Sequence, residues 1–349
     1  MVFLSYLNVV LSKYLKLYKM KKLLIITVIL TSLFSCSTDD TTTQQLPPSS
    51  SQKEFIYFSG WDESIGTLGV KWSELYRIKK DGSSQEKLTN YSNLGTVSGN
   101  VDYPILNSSS TKVYFSRENT IKVYDVATTA TTNIYTAPAT SGWISTTNQV
   151  FDNDTKIIFV EENDTKTYWN INVLDIQSGV VTLLTDAQDG SQSYSNPVFY
   201  NGKIYYSKTT SVWSETYPGT WVWANSIYEI YSMNIDGSNK TLLHQAGNWI
   251  DSIIVLNNTT IYFTMHFPLN PVTAKPNQVW KLDVGTGVTT QLSDYTLDGT
   301  VNELTLQDNE LYYSSNKTGK YNIYKMNLDG SNKIMISIDD TVSKQNPTF

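Results

Sequence analysis

One cysteine and two histidines are all that 349 residues hold of two side chains that commonly bind metals or act as nucleophiles and bases. With Cys36 as the lone thiol, disulfides and cysteine-based metal sites are excluded. The chain also has no G-x-S-x-G elbow and no glycine-rich phosphate loop, so those routes to acyl or phosphoryl chemistry are absent. No surplus of basic residues exists either: the formal charge is −6, which argues against nucleic acid as a partner. The apolar run Leu23–Ser35 falls short of the ~20 residues a membrane span needs. Aromatic residues, by contrast, make up 13% of the chain, with 24 Tyr and 9 Trp, as suits a β-rich fold.

The N-terminal region reads as an address. Met20-Lys21-Lys22 followed by LLIITVILTSLFS has the positive start and short apolar core of a signal peptide, and the short core favours this over the alternative of an uncleaved anchor. Residues 1–19 add a second apolar segment that a signal peptide does not need, which points to Met20 as the translation start. Leu33-Phe34-Ser35-Cys36 resembles a bacterial lipobox, and that resemblance implies lipid attachment at Cys36 as the mature N-terminus. The acidic Ser37-Thr38-Asp39-Asp40 resembles the export tag of surface-exposed lipoproteins in some Gram-negative bacteria. Thr41 to Lys53, with Pro47-Pro48 and no apolar period, reads as a flexible tether. The expected organisation is a signal region at 1–35, a lipidated tether at 36–53 and a folded domain at 54–349 on the bacterial outer membrane. Residues 1–35 hold five of the 26 basic residues and none of the 32 acidic ones, so the mature chain carries −11.

From Phe55 onward two kinds of segment alternate. The first is an aromatic strand, present as IYFSG (56–60), VYFSR (113–117), IIFVE (157–161), IYYSK (204–208), IYFTM (261–265) and LYYSS (311–315). The second is a hairpin: LYRIKKDGSSQEKLT, IKVYDVATTATTNIY, INVLDIQSGVVTLLT, IYSMNIDGSNKTLLH, VWKLDVGTGVTTQLS and IYKMNLDGSNKIMIS. Ile78, Tyr124, Leu174, Met233, Leu282 and Met326 are equivalent, with spacings of 46, 50, 59, 49 and 44 residues. A period near fifty with several strands per unit predicts an all-β propeller of six blades. A further strand precedes the aromatic one in YPIL, NPVF, SIIVL and NELTL, which gives four strands, a to d, per blade. The first unit lacks its own strand a, and Gln345-Asn346-Pro347-Thr348-Phe349 matches Ser195-Asn196-Pro197-Val198-Phe199. The C-terminus is therefore expected to complete blade 1 and close the ring.

The aromatic strand paired with I-Y-x-M-N-L-D-G-S-N resembles the six-bladed YWTD propellers of the low-density-lipoprotein-receptor-related group. It is also similar to the propeller of TolB, whose blades carry comparable hairpins after an N-P or S-P strand. The resemblance spans 54–349 and implies scaffold only, since no strict YWTD tetrad occurs and blades 2, 3 and 5 lack the Asp-Gly turn.

Propeller topology puts the a–b and c–d turns at one face and the b–c and d–a loops at the other. The short Asn/Gly turns fall on the first face, so function is expected on the second, where loops are long. Trp61 and Trp72 lie in the blade 1 loop, Trp213, Tyr217, Trp221 and Trp223 in the blade 4 loop, and His266 in the blade 5 loop. Trp143 and Trp249 lie in d–a connections facing the same way. Such rings either stack on sugars and anchor protein interfaces or pack on neighbouring blades.

The turns Asp152-Asn153-Asp154 and Glu162-Asn163-Asp164 lack calcium-loop spacing and read as solvated turns, so neither metal nor cofactor is expected. His244 and His266 could share a site with Asp251, though surface or packing roles suit them better. The main expectation is a lipid-anchored module that binds a glycan or an envelope protein through aromatic loops. One alternative is a carbohydrate-active enzyme using acids of the same face, drawn from Asp62, Glu63, Asp102, Glu215, Asp251 and Glu303. Another is a TolB-like structural component of the envelope. Convergence of two acids in a central pocket is what separates the enzyme from the binding module.

Overall fold

A computed structural model describes residues 54–62, 72–91, 100–138, 143–163, 168–188, 190–217, 220–266, 276–337 and 341–349. The signal region, Cys36 and the tether lie outside these residues. Among the described residues no helix is long and apolar enough to cross a membrane.

The described chain forms six four-stranded antiparallel sheets. Blade 1 contains β1 (Phe55–Asp62), β2 (Glu74–Lys79) and β3 (Glu86–Lys87). Blade 2 is β4 (Asp102–Leu106), β5 (Lys112–Arg117), β6 (Thr120–Asp125) and β7 (Thr131–Thr136). Blade 3 is β8 (Ile144–Phe151), β9 (Lys156–Asn163), β10 (Tyr168–Asp175) and β11 (Val181–Leu183). Blade 4 is β12 (Gln192–Tyr200), β13 (Lys203–Tyr217), β14 (Thr220–Asn234) and β15 (Thr241–Ala246). Blade 5 is β16 (Ile250–Asn257), β17 (Thr260–Met265), β18 (Gln278–Asp283) and β19 (Thr289–Gln291). A four-residue helix, α1 (Tyr295–Asp298), leads to blade 6: β20 (Val301–Gln307), β21 (Glu310–Ser315), β22 (Asn322–Asn327) and β23 (Ile334–Met335). The last strand, β24 (Val342–Thr348), returns to pair with β1 as strand a of blade 1. The C-terminal closure expected from the Asn-Pro match is thus present, and its strand starts three residues earlier than the match.

The aromatic strand explains why the sheets form a ring. Successive residues of a strand face opposite sides, and each strand b carries two adjacent large side chains. Tyr205 joins a core cluster shared with blade 5, while Tyr206 joins one shared with blade 3. The same split holds for Tyr57 and Phe58, Tyr114 and Phe115, Ile158 and Phe159, Tyr262 and Phe263, and Tyr312 and Tyr313. The first of each pair serves the next blade and the second the preceding one. Six such clusters bind six neighbouring pairs, and the cluster between blades 6 and 1 includes Val342 and Phe349 of the closing segment. Tyr312 meets Phe349 edge-on at 4.5 Å.

Two turn chemistries close the c–d hairpins. In blades 1, 4 and 6 the Asp-Gly pair leads to a serine, whose backbone N–H and Oγ both donate to the aspartate; the Ser331–Asp329 distances are 2.9 and 2.6 Å. Gly330 has φ +84°, and a Cβ there would lie 2.8 Å from the Leu292 carbonyl oxygen of blade 5. This glycine therefore serves both the turn and the seam between blades. Blades 2, 3 and 5 use Asp125, Asp175 and Asp283 to hold a Thr or Ser three residues on. At Gly287 φ is +72° with no atom within 4 Å of the added Cβ.

Blade 4 is lengthened at its b–c connection. Lys208 to Ser226, read as a loop, continues β13 and β14 as a two-stranded ribbon, with Trp213 opposite Trp223 and Glu215 opposite Trp221. Strand a of blade 3, β8, was not visible as an apolar segment because its middle, Ser145 to Gln149, is entirely polar.

Two outcomes test this scaffold. In urea unfolding, Gly287→Ala should cost about 1 kcal/mol for its positive φ, and Gly330→Ala at least ~1 kcal/mol more because the seam must also open. Removing residues 342–349 should abolish the cooperative melt of the full chain and produce oligomers by size exclusion, since β1 is left as an open edge.

Candidate functional site

The a strands line the lumen, since β4, β8, β12, β16, β20 and β24 adjoin one another in sequence order and back to the start. Every a–b pair carries a register shift within strand a. At four of these irregularities a non-glycine residue has positive φ: Tyr103 at 48°, Asn196 at 53°, Glu303 at 39° and Asn346 at 53°. Side chains reach across from blade to blade here. Thr147 Oγ1 donates to the Tyr103 carbonyl, and Phe199 N–H donates to Gln149 Oε1 at 2.7 Å. Asn196 Nδ2 donates to the Ile250 carbonyl at 2.9 Å, and Leu304 N–H to Ser252 Oγ at 3.1 Å. Asn346 N–H completes the series toward Glu303 Oε2 at 3.5 Å.

The starts of the a strands and the ends of the b strands share one end of the channel, the loop-rich face. The opposite face is tied by turn contacts: Lys80 of a c–d turn pairs with Asp308 of an a–b turn at 2.6 Å, and Asp154 accepts from Ser108 at 2.9 Å. The Asp152–Asp154 turn is thus engaged in the scaffold, with Asp152 also pairing with Lys156 at 2.6 Å.

Asp251, second residue of β16, is the best-connected acid at the mouth. Its Oδ1 accepts from Trp249 Nε1 at 2.9 Å, and its Oδ2 faces His266 Nε2 at 3.2 Å and accepts from Asn277 Nδ2. The network continues from Asn277 Nδ2 to Asn302 Oδ1 at 3.0 Å and from Asn302 Nδ2 to Tyr321 Oη at 3.1 Å. Burial acts to raise the Asp251 pKa, but His266, Asn277 and Trp249 together hold it below the ordinary carboxylate value.

Glu303 behaves in the opposite way. Burial, reinforced by the charges of Asp251 and Asp102, pushes its pKa up to about 7 despite a 2.5 Å hydrogen bond from Ser314 Oγ. Asp102, first residue of β4, is raised to about 6 by burial alone, and no hydrogen bond from a described residue engages its carboxylate. Tyr103 is raised by burial and by the charges of Glu303, Asp251 and Asp102. Blade 2 stands opposite blade 5 in the ring, so the effect of Asp251 on Tyr103 acts across the lumen. Three acids from blades 2, 5 and 6 therefore converge on one channel mouth. Among the described residues no three His, Cys, Asp or Glu side chains form a group able to hold a metal ion.

The other expected site residues are distributed around this mouth. Trp61, next to last in β1, stands opposite Ser343 and is half-buried, as is Trp72 just before β2. Trp249 is half-buried, with Trp169 edge-on at 5.9 Å and Tyr228 at 6.0 Å. Trp143 is 53% exposed. Trp213, Tyr217, Trp221 and Trp223 occupy the blade 4 ribbon, beside Glu215. His266 is joined to Asp251, whereas His244 lies 6.4 Å from the Phe263 ring and is kept apart from that pair by its place on β15. Asp62 ends β1, and Glu63 lies outside the described residues. Tyr103, Asn277, Asn302, Tyr321 and Asn346 were not anticipated from sequence. The available signal was their column: Tyr103, Asn196 and Asn346 each precede proline at the same place in strand a, where Glu303 precedes Leu304.

No protein-family model matches the sequence, and no curated protein matches it. Solved structures do resemble the fold. A chain of the nidogen/laminin complex is 12% identical over 84% of this chain and 97% of that one, with a TM-score of 0.59. TolB from Acinetobacter baumannii is 12% identical over 85% of this chain and 66% of that one, with a TM-score of 0.60. Oligogalacturonate lyase from Vibrio parahaemolyticus is 13% identical over 78% of this chain and 86% of that one, with a TM-score of 0.50. At these identities the likeness establishes a six-bladed propeller architecture shared with TolB and with enzymes, and leaves the chemistry to the site itself.

The opposed carboxyls make a pH prediction. Glu303 has a folded pKa above its unfolded value because burial disfavours its charge, so the native state binds the extra proton between them. Stability from this group should fall as pH rises from about 4.5 to about 7 and then level off. Glu303→Gln should flatten that slope in urea titrations. Asp251→Asn removes a neighbouring negative charge and should lower the Glu303 midpoint, read by carboxyl NMR.

Proposed function

We propose that the chain is a lipid-anchored envelope protein whose channel mouth acts on a saccharide by acid–base catalysis. The observation that carries this reading is the pair Glu303 and Asp251, two acids of one mouth whose surroundings drive their protonation apart. Separation of this kind assigns roles: Glu303 keeps a proton near neutrality and serves as the acid, while Asp251 stays ionised and serves as base or charge stabiliser. His266 backs Asp251 on the side where its Nε2 faces Oδ2, and Trp61 and Trp249 provide aromatic surface at the same end. The fold is one that also houses an oligogalacturonate lyase, which makes a propeller enzyme architecturally reasonable.

The test is turnover. The full chain incubated with a library of oligosaccharides should cleave at least one, and Glu303→Gln should lower kcat on that substrate about 10²- to 10⁴-fold without lowering the melting temperature. A folded chain that cleaves nothing retires the enzymatic reading.

A second reading, binding without turnover, is favoured by the ribbon that carries Trp213, Tyr217, Trp221 and Trp223 on the same face. It predicts that Trp221→Ala with Trp223→Ala weakens capture of a glycan or envelope protein while the unfolding midpoint stays within about 0.5 kcal/mol of the parent. The anchor is checked separately: Cys36→Ala should move the protein from the membrane to the soluble fraction and abolish fatty-acid labelling.

A further inference from the structure

The contact between Asp251 and His266 orients the imidazole as well as holding the acid. Asp251 is gripped from three sides: Trp249 Nε1 donates to Oδ1 at 2.9 Å, while Oδ2 accepts from Asn277 Nδ2 and faces His266 Nε2 at 3.2 Å. A carboxylate offers about four lone-pair positions, so little is left here to accept a further proton. No lysine or arginine among the described residues pairs with it, and His266 is its ion-pair partner. Asn277 is 1% exposed, and its Nδ2 also donates to Asn302 Oδ1 at 3.0 Å, which ties the group to β20 beside Glu303. An acid fixed in this way is suited to hold a neighbour in place.

That neighbour is His266. An ionised carboxylate only accepts, so the hydrogen of the 3.2 Å contact sits on Nε2, and the neutral ring keeps its lone pair on Nδ1. The backbone is pinned too, since the His266 N–H donates to the Trp249 carbonyl at 2.8 Å. Trp249 thus serves both partners, its indole bonded to Asp251 and its carbonyl to His266. The His266 side chain is 45% exposed, and its Nδ1 makes no hydrogen bond with a described residue. His244 gives the contrast: it is half-buried 6.4 Å from the Phe263 ring, and burial alone lowers its pKa, with no carboxylate acting on it.

We propose that Asp251 and His266 form a proton-transfer dyad in which His266 Nδ1 is the catalytic base and Asp251 the residue that positions it. Imidazole takes up and returns a proton near neutrality, and a carboxylate on its far nitrogen fixes the tautomer and steadies the imidazolium that forms. In hydrolysis of a glycosidic bond, Nδ1 takes a proton from water as the water oxygen bonds the anomeric carbon. The bond from that carbon to the leaving sugar breaks, and Glu303 gives its proton to the departing oxygen. Solvent then removes the proton from His266 and returns one to Glu303. This step rests on the saccharide reading above, whereas the dyad rests on its own geometry.

Two readouts on the native full chain test the dyad. The chain has only two histidines, so long-range proton–nitrogen correlation spectra resolve both rings, with His244→Gln giving the assignment. The neutral His266 ring should carry its hydrogen on Nε2, and Asp251→Asn should lose that preference, because an amide donates as well as accepts. Diethyl pyrocarbonate probes the lone pair: Nδ1 bonds its carbonyl carbon, and the Nε2 proton leaves with ethyl carbonate, which breaks down to ethanol and carbon dioxide. His266 should be acylated at least tenfold faster than His244, with the site read by mass spectrometry. A hydrogen on Nδ1, or equal acylation of the two histidines, overturns the proposal, and neither result depends on a variant that folds. On any oligosaccharide the chain cleaves, His266→Gln should lower kcat about 10²- to 10⁴-fold with KM little changed, and His244→Gln should leave kcat as it is. Cleavage undiminished in His266→Gln overturns the catalytic role and leaves the saccharide reading in place. The Nε2 tautomer with fast acylation, but without cleavage of any saccharide, retires that reading and keeps the dyad as a proton-transfer centre.

Discussion

Two adjacent side chains on one strand must point to opposite sides, and the whole ring depends on that constraint. A sheet with one apolar face would pair once and stop. Here each strand b presents a large side chain to both sides, Tyr205 to blade 5 and Tyr206 to blade 3, so each blade must be flanked on both. Repetition of that demand has no natural end except closure. The chain meets it by withholding strand a from blade 1 and supplying it at Val342–Thr348, which also delivers Phe349 into the last apolar seam. Each buried ring contributes on the order of 1.5–3 kcal/mol, so the seams carry most of the stability. Outer strands as short as the two residues of β3 and β23 are enough.

Because the b strands bear that load, the a strands are freed from it. They line a lumen and include Thr147, Asn196, Ser252, Glu303 and Asn346, which a packed core would not accept. These groups serve as ties between blades, and the register shifts at the same places bring side chains of different blades within reach of one another. Glu303 belongs to both systems: it takes the Asn346 N–H at the closing seam and stands among the acids of the mouth. Structure and chemistry are joined at this residue, and the scaffold's closure is what brings it to Asp251 and Asp102.

This division explains what was legible in the sequence. Strand b and the c–d hairpin repeat because their side chains answer to neighbouring blades, so Ile56-Tyr57-Phe58 and Leu311-Tyr312-Tyr313 look alike and the six-fold count follows. The lumen strands answer to solvent and to each other, so they need no common apolar pattern; β8, with Ser145 to Gln149, shows none. Asp102, Asp251 and Glu303 could be assigned to one face from their place in the repeat. Their meeting could not, because residues 102 and 303 approach only through the closed ring. The blade 4 insertion could be placed between strands b and c by its position in the repeat, but its clustered Trp residues fit both a binding loop and an extended hairpin, and the strands run on at Trp213 opposite Trp223.

The mouth also shows how unfavourable local choices are retained. Positive φ at Tyr103 and Glu303, 48° and 39°, costs of order 1–3 kcal/mol at each residue. Desolvation of three carboxyls adds to this, and two amide oxygens stay without donors. Apolar side chains at these places would remove the desolvation and unsatisfied-acceptor penalties without disturbing the b-strand seams that hold the ring. Blade 4 places Asn196 at the same bulge and satisfies it on the Ile250 carbonyl, so the bulge itself does not require an unsatisfied group. Where Tyr103, Glu303 and Asn346 stand the same backbone device is used, and there the Asn346 Oδ1 accepts nothing. The difference between these positions is one of side-chain chemistry, not of backbone, and it is confined to one end of the channel.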